Sequence, residues 1–220
     1  MRPPPEWAEA SGAPLRRVAV IVAHPDDEIL WCGGLLLLKP DWSVFVACLC
    51  RGGDADRAPR FHRALESLGA QGAMGTLDDG PGQQPLPPEA VRAHILALLP
   101  HRDYGRILTH AAGGEYTRHR RHEETWGAVW TLWKEGVLRA PSLWTFAYED
   151  GGGAYLPRAE AEAPIRLELP QAIWEAKRRL LKEVYNFPEE GWEVRATPRV
   201  EAFQPFGAPD PASGPTGKDA

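Results

Sequence analysis

The chain has 220 residues, with 25 Lys+Arg against 30 Asp+Glu and a formal net charge of -5. An acidic balance argues against a dedicated nucleic-acid binder, which would carry a net basic face. With 43% hydrophobic and 25% charged residues, wholesale disorder is excluded. No apolar stretch approaches the ~20 residues that span a bilayer. Three cysteines are too few for a disulfide framework. The first 14 residues carry prolines and Glu6 where a signal peptide needs an apolar core, so a cytoplasmic protein is expected. The length fits one α/β domain over 1–206, with 207–220, rich in Pro, Gly, Ser and Ala, as a disordered tail.

Along the chain, strands alternate with helices. Residues 18–23 form a short continuous apolar run, the mark of a strand buried on both faces. A helix over 25–38 follows and opens with acids. Next come a strand over 43–50, a helix over 59–68 stopped by Gly69, a weak strand over 73–77 and a Gly/Pro loop over 78–88. A helix over 89–99 leads to a strand over 106–109. A long helix over 119–138 then carries Trp126, Trp130 and Trp133 as a core stripe. Strands over 142–148 and 165–169, placed at an antiparallel edge, and a helix over 171–185 complete the pattern. Such alternation predicts a Rossmann-like three-layer sandwich with a mostly parallel sheet.

Ligands of an open parallel sheet bind beyond the carboxyl ends of its strands. Two polar clusters fall there. The first strand runs into His24-Pro25-Asp26-Asp27-Glu28, and the fourth into Thr109-His110, with Tyr116 to His122 just beyond. Read alone, Asp-Asp-Glu is favourable first-turn charge on a helix. A histidine at the strand end just before it changes the reading, because imidazole and carboxylate are good zinc ligands. One aspartate can bind the metal while its neighbour faces a water. His119 and His122 lie one turn apart on a common helix side. A catalytic zinc takes three protein ligands, and His24, Asp27 and one of these two histidines supply that number. His110 stands where it could orient the ligands from behind.

These stretches resemble a known family. Ala23-His24-Pro25-Asp26-Asp27-Glu28 with Cys32-Gly33-Gly34 behind it is similar to the signature of the PIG-L/LmbE-like zinc deacetylases. Thr109-His110, Gly114-Glu115-Tyr116 and His119-x-x-His122 resemble the family's second motif, and weaker likeness extends over 17–206, including Glu201-Ala202-Phe203. The resemblance implies removal of an N-acetyl group from a glucosamine-containing conjugate, such as glycolipid or thiol precursors. It implies one Zn2+ on His24, Asp27 and His122, with Asp26 as general base. It further implies His119 as an imidazolium near the oxyanion or leaving amine, Tyr116 touching the amide, and Arg57 and Asp79 contacting sugar. Two arginines stand between the histidines where the family more often has Pro-Asp or Pro-Gln.

Arg57, Arg60 and Arg63 on one helix and Arg118, Arg120 and Arg121 around the histidines suggest an anionic substrate, since guanidinium suits carboxylate and phosphate. The bland reading is ordinary surface. His62, His94 and His101 read as solvated, and Cys48 and Cys50 as core residues sharing a strand face. Arg51-Gly52-Gly53-Asp54 is a weak phosphate-cradle signal. The expected partner is a small amino-sugar molecule; a homo-oligomer is compatible with the sequence. Two other readings are a nucleotide-binding Rossmann-like module and a metal-binding homologue without catalysis. The first would need Gly-x-Gly-x-x-Gly where His-Pro-Asp-Asp stands.

Overall fold

Val18 to Val22 have no exposed surface, because their strand lies inside a seven-stranded sheet. A computed structural model describes residues 16–208; the readings of 1–14 and of the tail beyond Ala208 lie outside the described residues. The strands β1 (Arg17–Val22), β2 (Ser43–Cys50), β3 (Gln71–Leu77), β4 (Arg106–Thr109) and β5 (Ser142–Phe146) run parallel. β6 (Tyr148–Glu149) and β7 (Arg158–Ala159) form a separate antiparallel ribbon. β8 (Ile165–Glu168) and β9 (Val200–Gly207) close the sheet antiparallel, in the order β3-β2-β1-β4-β5-β9-β8.

Period-two alternation sorts β1 between two cores. Val18, Val20 and Val22 pack with α1 (Asp27–Leu38) and α2 (Arg57–Leu68). Ala19 and Ile21 pack with α3 (Pro88–Leu98) and α4 (Arg120–Lys134). α5 (Gln171–Arg179) packs on α1, its continuation as a π-helical turn (Leu180–Val184) packs on α2, and α6 (Trp192–Arg195) follows. The result is the expected three-layer α/β sandwich. Strand order reverses between β1 and β4, so the crevice at their carboxyl ends is where such sheets bind ligands.

Several boundaries differ from expectation for local reasons. The long helix stops at Lys134 rather than 138, because Gly136 turns left-handed (φ 70°) and Val137 N–H reaches back to Leu132 O. The 142–148 run breaks at Ala147 into β5 and β6, and β5 is parallel; the antiparallel edge is β9 and β8. Gly207 ends a strand paired with Ser142, so it belongs to the sheet and not to a tail. Cys48 and Cys50 lie in different cores, separated by an irregular register in which Cys48 faces Met74 and Cys50 faces Leu77.

That irregularity draws in His94, which is only partly solvated: its Nε2 accepts the Thr76 N–H at 3.2 Å, and partial burial lowers its pKa. Gly75 makes the approach possible, since a Cβ there would meet His94 Nε2 at 1.9 Å and Leu49 O at 2.7 Å. Gly75→Ala is expected to cost about 1–3 kcal/mol as overpacking. A thermal melt should show Tm lowered by roughly 2–12 °C; an unchanged Tm would contradict the packing.

Candidate metal centre and active site

The β1–α1 turn places the first cluster by a strained backbone. Asp26 has φ 125°, a conformation that side-chain-bearing residues rarely adopt. It is held there by its N–H donating to Glu28 Oε2 at 3.0 Å, and by its carbonyl accepting from Ile29 and Leu30. Glu28 is in turn fixed by the Tyr185 hydroxyl at 2.5 Å, and burial lifts its pKa to about 7. Asp27 Oδ2 accepts the His24 N–H at 2.8 Å, while Oδ1 accepts from Trp31 Nε1 at 3.0 Å. The turn thus leaves Asp27 aimed inward and Asp26 beside it.

Three atoms meet in front of this turn. His24 Nδ1 lies 3.2 Å from His122 Nε2, and each lies 3.4 Å from Asp27 Oδ2. Bonds of ~2.0–2.1 Å in a tetrahedral arrangement require ligand atoms ~3.3 Å apart. The triangle therefore fits zinc or a similar divalent ion without rearrangement. His110 also approaches Asp27 at 3.4 Å, but both its nitrogens are engaged. Its Nε2 lies 3.0 Å from the Ala23 nitrogen and its Nδ1 2.9 Å from Glu115 Oε2. His110 thus stands behind Asp27 and His122, next to the triangle.

Glu115 is the residue that sequence reasoning left without a role. Fully buried, it accepts from His110 Nδ1, His122 Nδ1 (2.6 Å) and the Ala111 N–H. This fixes the His122 tautomer and points the Nε2 lone pair at the triangle. Burial alone would raise its pKa, but His110 and His122 hold it at about 2. A histidine ligand ordinarily has a carboxylate behind it, so the acid between His110 and His122 was the signal available.

The adjacent aspartates are driven apart electrostatically. Burial and then the Asp27 charge push the Asp26 pKa well above the carboxylate range. For Asp27 burial is overcome by His122 and His110, which hold it well below that range. Such a split separates an ionised ligand from a proton-transfer group. Arg57 Nη1 sits 3.7 Å from Asp26 Oδ2, and this nitrogen is buried without a hydrogen-bond partner. His119 offers a similar orphan, Nδ1. Burial, then His122 and His24, lower His119 to about 4, which disfavours the expected imidazolium.

A cleft of about 800 Å³ opens over the triangle, lined among others by Asp26, Arg57, Asp79, Tyr116 and His119. Seven of the eight residues singled out from the sequence line it, and the eighth, His122, lies buried beneath and closes the triangle. Asp79 does more than line the wall: Oδ1 takes His24 Nε2 at 3.1 Å, while Oδ2 takes Arg51 Nε at 2.9 Å. Tyr116 stacks on Trp31 and meets His122 edge-on at 5.5 Å.

The arginine expectation does not survive. Of its six members only Arg57 lines the cleft. Arg60 binds Asp56 and the Tyr185 carbonyl, Arg63 and Arg120 are exposed, and Arg118 pairs with Glu123. Arg121 is buried and structural, clamping the 78–84 loop through Asp78 O and Gln84 O, and pairing with Glu124. That is its reason for standing between the two histidines. The Arg51–Asp54 turn is no phosphate cradle either, since Asp54 Oδ1 already takes the N–H groups of Asp56 and Arg57.

No family model matches the chain. A curated relative, Uncharacterized protein L374 of Acanthamoeba polyphaga mimivirus, is 21% identical over 187 residues, covering 77% of this chain and 76% of its own. Among solved structures, N,N'-diacetylchitobiose deacetylase from Pyrococcus horikoshii superposes with a TM-score of 0.67 at 14% identity, covering 88% of this chain and 84% of that one. GalB, the 4-carboxy-2-hydroxymuconate hydratase of Pseudomonas putida, gives 0.62 at 15% over 91% and 99%. A zinc-inhibited form of teicoplanin deacetylase Orf2 gives 0.58 at 16% over 89% and 99%. The fold that the resemblance implies is thus borne out, since this chain shares it with these deacetylases. Fold alone does not fix chemistry, as the hydratase among these neighbours illustrates.

Proposed function

We propose that the chain is a PIG-L/LmbE-like metal-dependent N-deacetylase that hydrolyses the N-acetyl group of a glucosamine-containing conjugate. The observation that carries this is the triangle of His24 Nδ1, Asp27 Oδ2 and His122 Nε2 with uncoordinated Asp26 beside it. Deacetylases of the same fold, one of them in a zinc-inhibited form, support it. The nucleotide-module reading is disfavoured by Asp26, Asp27 and Glu28 at the helix N-terminus, where a phosphate would meet three carboxylates.

His24, Asp27 and His122 would hold the ion, Zn2+ being the best fit to two imidazoles and a carboxylate. When bound, such an ion polarises a carbonyl and acidifies water. The rest falls to the chain's own groups. Asp26 takes the proton of the attacking water and passes it to the leaving nitrogen as the C–N bond breaks, so that amide and water become acetate and amine. His119, neutral and with an orphan ring nitrogen, donates to the developing oxyanion, aided by the Tyr116 hydroxyl. Arg57 steadies the Asp26 carboxylate and lines the cleft in which the sugar would lie. Asp79 orients His24 while its edge faces the cleft.

The reading is tested by supplying the purified chain with Zn2+ and N-acetylglucosamine derivatives. Acetate and free amine should appear in equal amounts, and chelation should stop their release. Stoichiometric metal with no acetate from any N-acetylated sugar would overturn it. Glu115→Gln should weaken divalent-metal binding about 10–100-fold, because it removes the carboxylate behind His122. Competition against a chromogenic chelator measures this directly, and unchanged affinity would remove Glu115 from its role.

A further inference from the structure

Outside the catalytic groups, one corner of the cleft is unexplained. Trp192 is 37% exposed, whereas the other tryptophans among the described residues are buried or half-buried. The ring stands at the mouth of a polar cleft that it helps to line. Its indole meets Tyr116 edge-on, with centroids 4.9 Å apart and planes at 61°, which sets the ring's orientation one step out from His122. Next to it, Glu193 also lines the cleft, and its carboxylate makes no hydrogen bond or ion pair among the described residues.

Charge narrows what can sit there. The lining holds four carboxylates, Asp26, Asp27, Asp79 and Glu193, against two guanidinium groups. Both arginines face carboxylates: Arg51 is engaged by Asp79 and Asp54, and Arg57 lies beside Asp26. Neither guanidinium is therefore left without a facing carboxylate to receive an anionic group. On the Trp192 side the neighbouring charge is Glu193, which repels phosphate or carboxylate.

We infer that Trp192, Tyr116 and Glu193 form an outer subsite for a second sugar ring, uncharged or amine-bearing, attached to the amide-bearing sugar. The ring's C–H face stacks on the indole, whose face is electron-rich, and its hydroxyl or ammonium groups donate to Glu193. This rests on the deacetylase reading of the cleft and reverses the anionic-substrate expectation.

The test compares three probes on the metal-loaded full chain: N-acetylglucosamine, N,N'-diacetylchitobiose and N-acetylglucosamine 1-phosphate. The disaccharide should show the highest kcat/KM, at least tenfold above the monosaccharide. Trp192→Ala should lower the disaccharide-to-monosaccharide kcat/KM ratio at least tenfold, mainly through KM, and Trp192→Phe should recover most of it. Glu193→Lys should raise the relative rate on the phosphate probe. Calorimetric binding of the deacetylated disaccharide, wild type against Trp192→Ala, reads the subsite without turnover. Binding that Trp192→Ala weakens tenfold, with no hydrolysis of any probe, keeps the subsite and removes the deacetylase. Hydrolysis with an unchanged ratio in Trp192→Ala, or preference for the phosphate probe in the wild type, overturns the subsite and keeps the deacetylase.

Discussion

Asp26→Asn should leave the metal content of the chain unchanged and lower kcat on an N-acetylated sugar by about 10²–10⁴-fold. The reason is geometric before it is electrostatic. The ligand triangle is built from His24, Asp27 and His122, and Asp26 contributes no atom to it. Its amide carbonyl and N–H, which hold the turn, are backbone groups that asparagine keeps. Asparagine also tolerates positive φ better than most residues, so the strain at φ 125° is not worsened. What is lost is a group able to accept and return a proton, and its neighbour is too weak a base to substitute, because His122 and His110 hold the Asp27 pKa well below the usual carboxylate range against burial. Metal analysis alongside acetate release decides it: loss of metal would make Asp26 a ligand, and undiminished kcat would remove it as base.

Much of this site was legible because its first half is local. His24 to Glu28 are contiguous, and the burial of β1 announced itself as an unbroken apolar run leading into them. β2 and β4 were legible for the same reason, since strands covered on both faces need no alternation to be seen. β9 was not, because Val-Glu-Ala-Phe-Gln-Pro-Phe-Gly reads as broken by Glu201 and Pro205; only its partners β5 and β8 make it a strand. α6 has four residues and no periodicity to read, which hid Trp192. Arg121 misled because composition says surface for arginine, and only the carbonyls of Asp78 and Gln84 show why it is inside. Glu115 was visible as a letter in the motif, while its role depends on two stacked histidines that meet at one of its oxygens.

Glu201→Ala should destabilise the protein by about 3–5 kcal/mol, a Tm loss of roughly 6–20 °C for a chain of this size. Glu201 and Lys177 are both fully buried, and Nζ lies 2.6 Å from Oε1. The carboxylate has a second duty, accepting the N–H groups of Gly34 and Leu35 in the middle of α1 at 2.7 Å each. Gly34 permits that approach, since a Cβ there would stand 2.9 Å from Glu201 Oε1 and 2.5 Å from Leu169. Removing the carboxylate leaves a buried ammonium with no partner and takes an acceptor from two helix donors. Lys177→Met should cost less, because the carboxylate it leaves behind keeps both N–H bonds. The order of the two variants in a denaturant titration is therefore the measurement. Equal losses would mean that the ion pair alone matters, whereas a larger loss in Glu201→Ala shows β9 pinning α1. The amino end of that same helix carries Asp27, with Asp26 just ahead of it, so β9 would also be holding the site in place.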